Sequence, residues 1–392
     1  MRLLFVVDGR SPIALNWIAY FVERGDEVHL VSTFACNPQL SLASLHVLSV
    51  AFSGMRKPGE AHGPPSRHWG KVGLRTKLRQ WLGPLTLPGA GRRLGKIIAS
   101  MRPDLVHAMR IPYEGMVAAL AQPAMPLLVS VWGNDFTLHA RATPLMASYT
   151  RRALNAADAL HADCRRDARL ALAWGFPDGR PVLVVPGNGG LQLDRFYPPS
   201  AEANAGQQAV EEEGILRVIN PRGLRAYVRN DTFFRSVPLV IQSEPRARFL
   251  CTTMAGEPEA LRWLDELRID HVVELLPMQT RSQMAELFRR ALVAVSPSTH
   301  DGTPNTLLEA MACGCFPVAG DIESLREWIT PGVNGLLVDP ADPQALAEAI
   351  LTALRQPELR QAARQYNLGL VAEKAEYGRV MAQAASFYQG LI

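Results

Sequence analysis

Residues 296–314 have the sequence SPSTHDGTPNTLLEAMACG. The apolar run at 292–296 has the length of a buried strand, and the Asp-Gly pair at 301–302 marks a tight turn. The segment 305–313 then places apolar side chains at helical spacing, and Gly314 is typical of a helix end. The stretch therefore predicts a strand, a turn and a helix in direct succession.

The start of this helix is a candidate site for an anion. Thr303 is a suitable N-cap, and Pro304 suits the first helical position. The first N–H groups of a helix have no intrahelical partner and lie at the positive end of its dipole, which favours a diphosphate. The candidate residues for this contact are Gly302, Thr303, Pro304, Asn305 and Thr306.

Two carboxylates flank the candidate anion site. Asn305 and Glu309 are four residues apart and share one helix face, so we expect Glu309 one turn away from the phosphate. A carboxylate in that place can accept both hydroxyls of a ribose. Asp301, in the preceding loop, is expected to bind hydroxyls of a transferable sugar.

On both sides of this stretch, short apolar runs alternate with helix-length segments. The alternation indicates parallel strands with helices on both faces of a sheet. The sequence thus predicts an α/β protein with two doubly wound domains, residues 1–198 and 215–374, joined by a polar linker at 199–214. A helix near 375–392 is long enough to pack back on the first domain. We expect the two domains to face each other across a cleft, because open α/β sheets bind ligands at the carboxyl ends of their strands.

Composition and motifs exclude several classes of protein. The chain has 392 residues, of which 48% are hydrophobic and 20% charged, as in an average soluble protein. No apolar run reaches the ~18–20 residues of a spanning helix, and the N-terminus lacks the features of a signal peptide, so we expect a cytoplasmic location. Neither half opens with Gly-x-Gly-x-x-Gly, and there is no Walker A loop, His-Glu-x-x-His or Asp-x-Asp pair, so no cofactor or metal is predicted.

The basic residues are concentrated in one segment. Residues 56–103 contain eleven basic side chains and one acidic one, together with Trp69 and Trp81. Residues 71–82 can form a basic amphipathic helix, which suits the surface of an anionic membrane. The alternative is that its apolar side docks on its own domain. Nucleic acid is not expected as a partner, because no recognition motif accompanies the charge.

At residues 296–339 the chain resembles the retaining nucleotide-sugar glycosyltransferases of family four, which have a GT-B fold. The signature of that family resembles S-x-x-E-G-x-x-x-x-x-x-E-A-M-A-x-G-x-P-V, and Asp301 and Glu309 match the spacing of its two acidic residues. Segments 334–338 and 186–189 also fit. The resemblance implies a metal-independent transferase that moves a sugar from a nucleoside diphosphate sugar to a glycan or lipid-linked acceptor.

The chain departs from the family pattern in the first half. The first acidic residue of the signature is Asp301 rather than the usual glutamate, which shortens its reach. Where many relatives have His-Gly-x-Asp, residues 132–135 read WGND. The active-site histidine of those relatives therefore has no equivalent at this position. His107, at the end of another predicted strand, is the candidate catalytic residue on the first domain's side of the predicted cleft. The alternative is a purely structural role.

The resemblance also assigns ligand-binding residues outside the signature. The arginine that meets the donor diphosphate corresponds best to Arg222, and the accompanying lysine has no clean equivalent, so Arg225 or Arg229 is expected to substitute for it. The acceptor is expected at the loops 9–11, 107–114 and 132–135 of the first domain. Gly9 and Asp135 are the ligand-binding residues expected there.

Two other functions stay open on the sequence. One is a nucleotide-sugar epimerase on the same two-domain fold, which would need no separate acceptor. The other is a catalytically silent protein that binds a nucleotide sugar. This function is conceivable because the chain has Asp301 and Trp132 at positions where it departs from the family pattern.

Overall fold

The computed structural model describes residues 1–53, 79–199 and 214–392. Residues 71–78 of the predicted amphipathic helix at 71–82, Trp69 and all but the two end residues of the predicted linker at 199–214 lie outside the described residues. The described chain divides into two compact units, the first formed by Met1–Gly190 with Gly378–Ile392 and the second by Leu191–Tyr377.

The first unit is built on one parallel sheet. Its strands are β1 (Arg2–Val7), β2 (Glu27–Ser32), β3 (Ser44–Val47), β4 (Leu105–Ala108), β5 (Leu127–Val131), β6 (Ala159–Ala162) and β7 (Val182–Val184). Its helices are α1 (Pro12–Glu23), α2 (Leu87–Met101), α3 (Met116–Ala121), α4 (Pro144–Ala156) and α5 (Arg165–Ala173). The strand order is β3-β2-β1-β4-β5-β6-β7. The central strands are almost wholly buried, because a parallel sheet is covered on both faces and its strands are continuous apolar runs.

The second unit repeats this architecture. Its strands are β8 (Leu216–Asn220), β9 (Ala247–Cys251), β10 (Val273–Leu275), β11 (Val293–Ser296), β12 (Phe316–Gly320) and β13 (Leu336–Val338). Its helices are α6 (Asn230–Ser243), α7 (Pro258–Leu267), α8 (Arg281–Arg290), α9 (Asn305–Ala312), α10 (Pro343–Arg355) and α11 (Pro357–Lys374). The parallel strands are ordered β10-β9-β8-β11-β12-β13. The predicted strand, turn and helix at 292–313 are confirmed as β11, its following loop and α9.

The last helix, α12 (Tyr377–Gln389), returns to the first unit. Tyr388 is fully buried there, and its ring stacks on Phe21 of α1 with centroids 4.7 Å apart. Its hydroxyl accepts a hydrogen bond of 2.9 Å from Nε1 of Trp17 and also contacts Nδ1 of His107. One hydroxyl therefore satisfies two buried polar groups of the first unit, one on α1 and one on β4.

Replacing this hydroxyl tests the anchoring of α12. Tyr388→Phe leaves the indole N–H of Trp17 and the ring nitrogen of His107 buried without a partner, so we expect the free energy of unfolding in urea to fall by ~1–3 kcal/mol. Tyr366→Phe, at a ring that is 50% exposed, is the matched control and should change little. Equal stability of the two variants would contradict the assigned role.

Candidate active site

The loops that follow β8 and β11 bring two predicted site residues together. Arg222 lies just after β8, and Asp301 lies between β11 and α9. Nη2 of Arg222 is 2.6 Å from Oδ2 of Asp301, and its Nη1 donates to Oγ1 of Thr306 at 3.3 Å. Both charged side chains are largely buried, at 9% and 15% exposure. The pair ties the start of α9 to the loop after β8.

The arginine keeps hydrogen-bonding capacity beyond this pair. Nε of Arg222 is buried, and no residue of the described chain accepts a hydrogen bond from it. A guanidinium has five donors, and this one lies beside a helix start whose first amide groups have no intrahelical partner. The arrangement of Arg222, Asn305 and Thr306 therefore suits a phosphate group.

The helix α9 starts one residue later than predicted. The N-cap is Pro304, which makes no side-chain capping bond, and Asn305 is the first helical residue, so the predictions of Thr303 as N-cap and of Pro304 at the first helical position were both wrong. The hydroxyl of Thr303 instead accepts a hydrogen bond of 3.0 Å from the indole of Trp328. Gly314 has φ of +89°, which confirms it as the residue that ends the helix.

Glu309 is held one turn into α9 in a nearly dry position. It is 9% exposed, and its burial raises the pKa of the carboxyl to about 7, although the positive charges of Arg281 and Arg222 act in the opposite direction. The same burial lowers the pKa of Arg281, on α8. Glu309 thus faces two guanidinium groups. The sequence did not indicate Arg281, because no motif surrounds it.

The two candidates for the second cation differ in their partners. The side chain of Arg225 is exposed, and its Nε donates to the backbone carbonyl of Arg222 at 3.0 Å, so it belongs to the same loop. Arg229 forms two hydrogen bonds of 2.8 Å with Asp231. Arg225 is therefore the better placed of the two to meet a ligand at Arg222.

In the first unit, the three predicted acceptor loops line one cavity of about 230 Å3. Gly9 itself does not line it. Its N–H donates to Oγ of Ser32 at 2.9 Å, and a side chain at this position would collide with Cys36, so Gly9 fixes the course of the loop after β1. The lining residues are Val7, Asp8, Arg10, Ser11, Phe34, Arg79, Arg110, Pro112, Tyr113, Glu114, Trp132 and His139.

Asp135 lies behind this cavity rather than in it. Its carboxylate is buried, forms an ion pair of 2.8 Å with Nε of Arg110, and accepts hydrogen bonds from the N–H groups of Trp132 and Ile111 at 3.1 and 3.4 Å. Asp135 therefore orients Arg110 and joins the loops after β4 and β5. The expected direct ligand contact is corrected to a positioning role.

His107 lies in the core, so the expectation that it forms a wall of the active site needs correction. It is 1% exposed, and burial together with neighbouring His161 holds its pKa well below the usual value. Nε2 of His107 contacts Ser130 at 2.7 Å, Ser130 contacts His161 at 2.8 Å, and His161 contacts the carbonyl of Val185 at 3.1 Å. Both ring nitrogens of His107 are thus used in a buried hydrogen-bonded chain that continues through Tyr388 to Trp17.

One group in the described part of the chain has the spacing of metal ligands. Ligand atoms of Asp163, Cys164 and Asp167 lie within 4.8 Å of one another. Arg166 donates two hydrogen bonds to Asp167, of 2.6 and 2.9 Å. A guanidinium already neutralises this carboxylate, so the group has a structural explanation.

Two family models match the chain. Residues 9–187 match the glycosyl transferase 4-like domain, and residues 224–356 match glycosyl transferases group 1. A D-inositol 3-phosphate glycosyltransferase of Geodermatophilus obscurus is 31% identical over 223 residues, which are 54% of this chain and 49% of the relative. The enzyme of the same name from Streptomyces griseus is 28% identical over 82% of this chain and 65% of its own length. The chain spans about half the length of the first curated relatives it matches.

Solved structures agree over the full chain. Sucrose-phosphate synthase of Thermosynechococcus elongatus has a TM-score of 0.74 at 16% identity and covers 100% of this chain and 99% of its own. HepE of Anabaena, solved in complex with UDP, has a TM-score of 0.75 at 15% identity and covers 100% of both chains. At this identity the similarity shows the fold, which is GT-B.

The pKa of Glu309 gives a prediction about stability. The pKa of its carboxyl rises from 4.5 to about 7 on folding. Between these pH values the folded chain therefore holds a proton that the unfolded chain has released. Stability therefore falls as pH rises through this window, by on the order of 3 kcal/mol from this group. We expect Glu309→Gln to flatten the decline in unfolding free energy between pH 5 and pH 8.

Urea unfolding at pH 5 and pH 8 measures this difference. Glu358→Gln, at an exposed carboxylate on α11, is the control and should keep the slope of the wild type. A Glu309→Gln variant with an unchanged slope would show that this carboxyl is ionised as easily as one in water.

Proposed function

Because the chain belongs to the group 1 glycosyltransferases and has the GT-B fold, we propose that it transfers a sugar from a nucleoside diphosphate sugar to an acceptor. The observation that carries this proposal is the site in the second unit, where a buried arginine, a helix start and a buried carboxylate lie together. The acceptor is a glycan or a lipid-linked molecule bound by the cavity of the first unit.

The donor is proposed to bind by its diphosphate and its ribose. Arg222 and the amide groups at Asn305 and Thr306 meet the phosphates, Arg225 assists, and Glu309 accepts the ribose hydroxyls. Gly302 allows the loop to approach the ligand closely, and Asp301 binds the sugar while it orients Arg222. HepE of Anabaena, which has the same fold, was also solved in complex with UDP-glucose.

The reaction is proposed to proceed without a metal ion and with retention at the anomeric carbon. Departure of the nucleoside diphosphate builds negative charge on its β-phosphate. Arg222, Arg225 and the positive end of the α9 dipole stabilise that charge as it forms, which is a role that a divalent cation has in other transferases. The family resemblance supports retention, and no protein nucleophile is assigned.

Arg222→Ala tests the electrostatic role. The charge that this guanidinium meets is largest when the leaving group departs, so we expect kcat to fall by about a hundredfold and the KM for the donor to change much less. Turnover is measured as release of nucleoside diphosphate from the nucleotide sugar that most raises the Tm of the chain. Arg262→Ala, on the surface of α7, is the control.

An unchanged kcat with only a raised KM would show that Arg222 merely binds the donor.

The same assay is run in excess EDTA, where turnover should persist. Loss of turnover that magnesium restores would contradict the proposal of a metal-independent reaction.

We further propose that the chain attaches peripherally to an anionic membrane, on its cytoplasmic face. Among the described residues, no helix combines the length and the apolar composition needed to cross a bilayer. Trp81 and Leu85 expose 62% and 66% of their surface, and α2 exposes Arg92, Arg93 and Lys96. Exposed apolar side chains near basic ones suit an anionic lipid surface.

Co-sedimentation with liposomes that contain phosphatidylglycerol tests this attachment. The wild type should sediment at low salt and be released at high salt, and a variant with Arg92, Arg93 and Lys96 changed to Glu should stay in solution. Equal sedimentation of both proteins, or none by the wild type, would make a soluble acceptor the better proposal.

A further inference from the structure

The cavity of the first unit lies where the order of the first sheet reverses. Its lining comes from the loops after β1, β4 and β5, with Arg79 and Phe34 closing other sides. Its volume of about 230 Å3 is somewhat below the ~300 Å3 of common small-ligand pockets. The cavity therefore suits a group no larger than one sugar ring with a substituent.

Three guanidinium groups line this cavity, and each lies against an aromatic ring. The central carbon of Arg10 is 3.7 Å from the ring centre of Phe34, that of Arg79 is 4.5 Å from Tyr113, and that of Arg110 is 5.7 Å from Trp132. Packing on a ring restricts each guanidinium. Nε and Nη2 of Arg10 donate to Asp8, and the same atoms of Arg110 donate to Asp135 and Asn134. The cavity thus presents three oriented positive charges, two of which already have partners.

The three arginines differ in how their charge is balanced. Arg10 forms an ion pair with Asp8, and Arg110 forms one with Asp135, both at 2.8 Å. In the described part of the chain, Arg79 has no ion-pair partner, and its Nε is buried without a hydrogen-bond partner. Arg79 is therefore the cation of this cavity whose charge remains uncompensated.

The ionisable neighbours do not cancel this charge. Burial, with the positive charges of Arg110 and Arg79, lowers the pKa of His139 to about 4, so it adds no charge near neutral pH. Burial raises the pKa of Glu114 to about 7, so its carboxyl is only partly ionised there. Glu114 also accepts a hydrogen bond of 2.7 Å from Thr33, which holds it at the cavity wall.

We propose that this cavity selects an acceptor that carries an anionic group, a phosphate or a carboxylate, and that Arg79 is the main ionic partner of that group. The inference rests on the proposed function, since it names the chemical class of the acceptor. An anion beside Arg79 satisfies the buried Nε and lies in the positive field of Arg10 and Arg110, which line the neighbouring walls. A neutral sugar would leave the charge of Arg79, which is only partly exposed to water, without an ionic partner, which is unfavourable.

The test is calorimetric titration of the full chain with inorganic phosphate, with glucose 6-phosphate and with glucose, in the presence of saturating UDP to fill the donor site. The two phosphates should bind and glucose should not. In Arg79→Gln the affinity for both phosphates should fall about tenfold or more, and Arg79→Lys should lie between this variant and the wild type, because the charge remains but the planar fork is lost. Arg152→Gln, exposed on α4, should bind as the wild type does.

Absence of phosphate binding by the wild type, or equal affinity of Arg79→Gln, would overturn the proposal. Thermal unfolding of Arg79→Gln without ligand shows whether it is folded, and a folded variant that still binds UDP makes a loss of phosphate affinity specific. Binding of UDP also reports on the proposed donor site independently of the acceptor cavity.

A second arm identifies the source of the anion. Vesicles of phosphatidylcholine with phosphatidic acid are compared with soluble glucose 6-phosphate. Competition between the two for Arg79 indicates a lipid-borne phosphate, and binding of the soluble compound alone indicates a water-soluble acceptor. Either result supports an anionic acceptor.

Discussion

Each sheet of this protein reverses its strand order at one place, between β1 and β4 in the first unit and between β8 and β11 in the second. Right-handed connections place the helices that follow two such strands on opposite faces of the sheet, so their loops diverge and leave a crevice at the carboxyl edge. Arg10 and Arg110 lie at the first of these crevices, and Arg222 and Asp301 lie at the second. The proposed acceptor and donor sites therefore follow from topology before any side chain is considered.

The crevice in the second unit holds charges in positions that are costly for the folded state. Arg222 and Asp301 are paired but largely withdrawn from water, and burial shifts the pKa of Glu309 towards neutrality. Removing charged groups from water costs several kcal/mol per ion, which close pairing only partly offsets. The formation of a helix or a strand does not require buried charged groups. Their concentration at the start of α9 is what a site selected for binding an anionic ligand requires.

The fold could be predicted because strands buried on both faces are apolar runs, and the signature after β11 indicated Asp301 and Glu309. Two helices lack a clear apolar periodicity: α6 has Pro238 inside it, and the buried face of α11 includes Arg360 and Asn367 rather than a continuous apolar stripe. The interpretation of His107 as an active-site residue failed. Its surroundings include Tyr388, which is 281 residues away in the chain, and no local pattern shows such a contact. The loops that line the arginine cavity were predicted, but the contribution of Arg79 was not, because Arg79 lies in a separate segment of the chain.

The proposed donor site is tested most directly by calorimetric titration of the full chain with UDP, GDP, ADP and dTDP, each against the wild type and Glu309→Gln. At least one nucleoside diphosphate should bind the wild type with one-to-one stoichiometry. In Glu309→Gln that binding should be tenfold or more weaker, because an amide oxygen replaces a carboxylate at the ribose. No binding by the wild type, or equal affinity in the variant, would contradict the placement of the donor at α9.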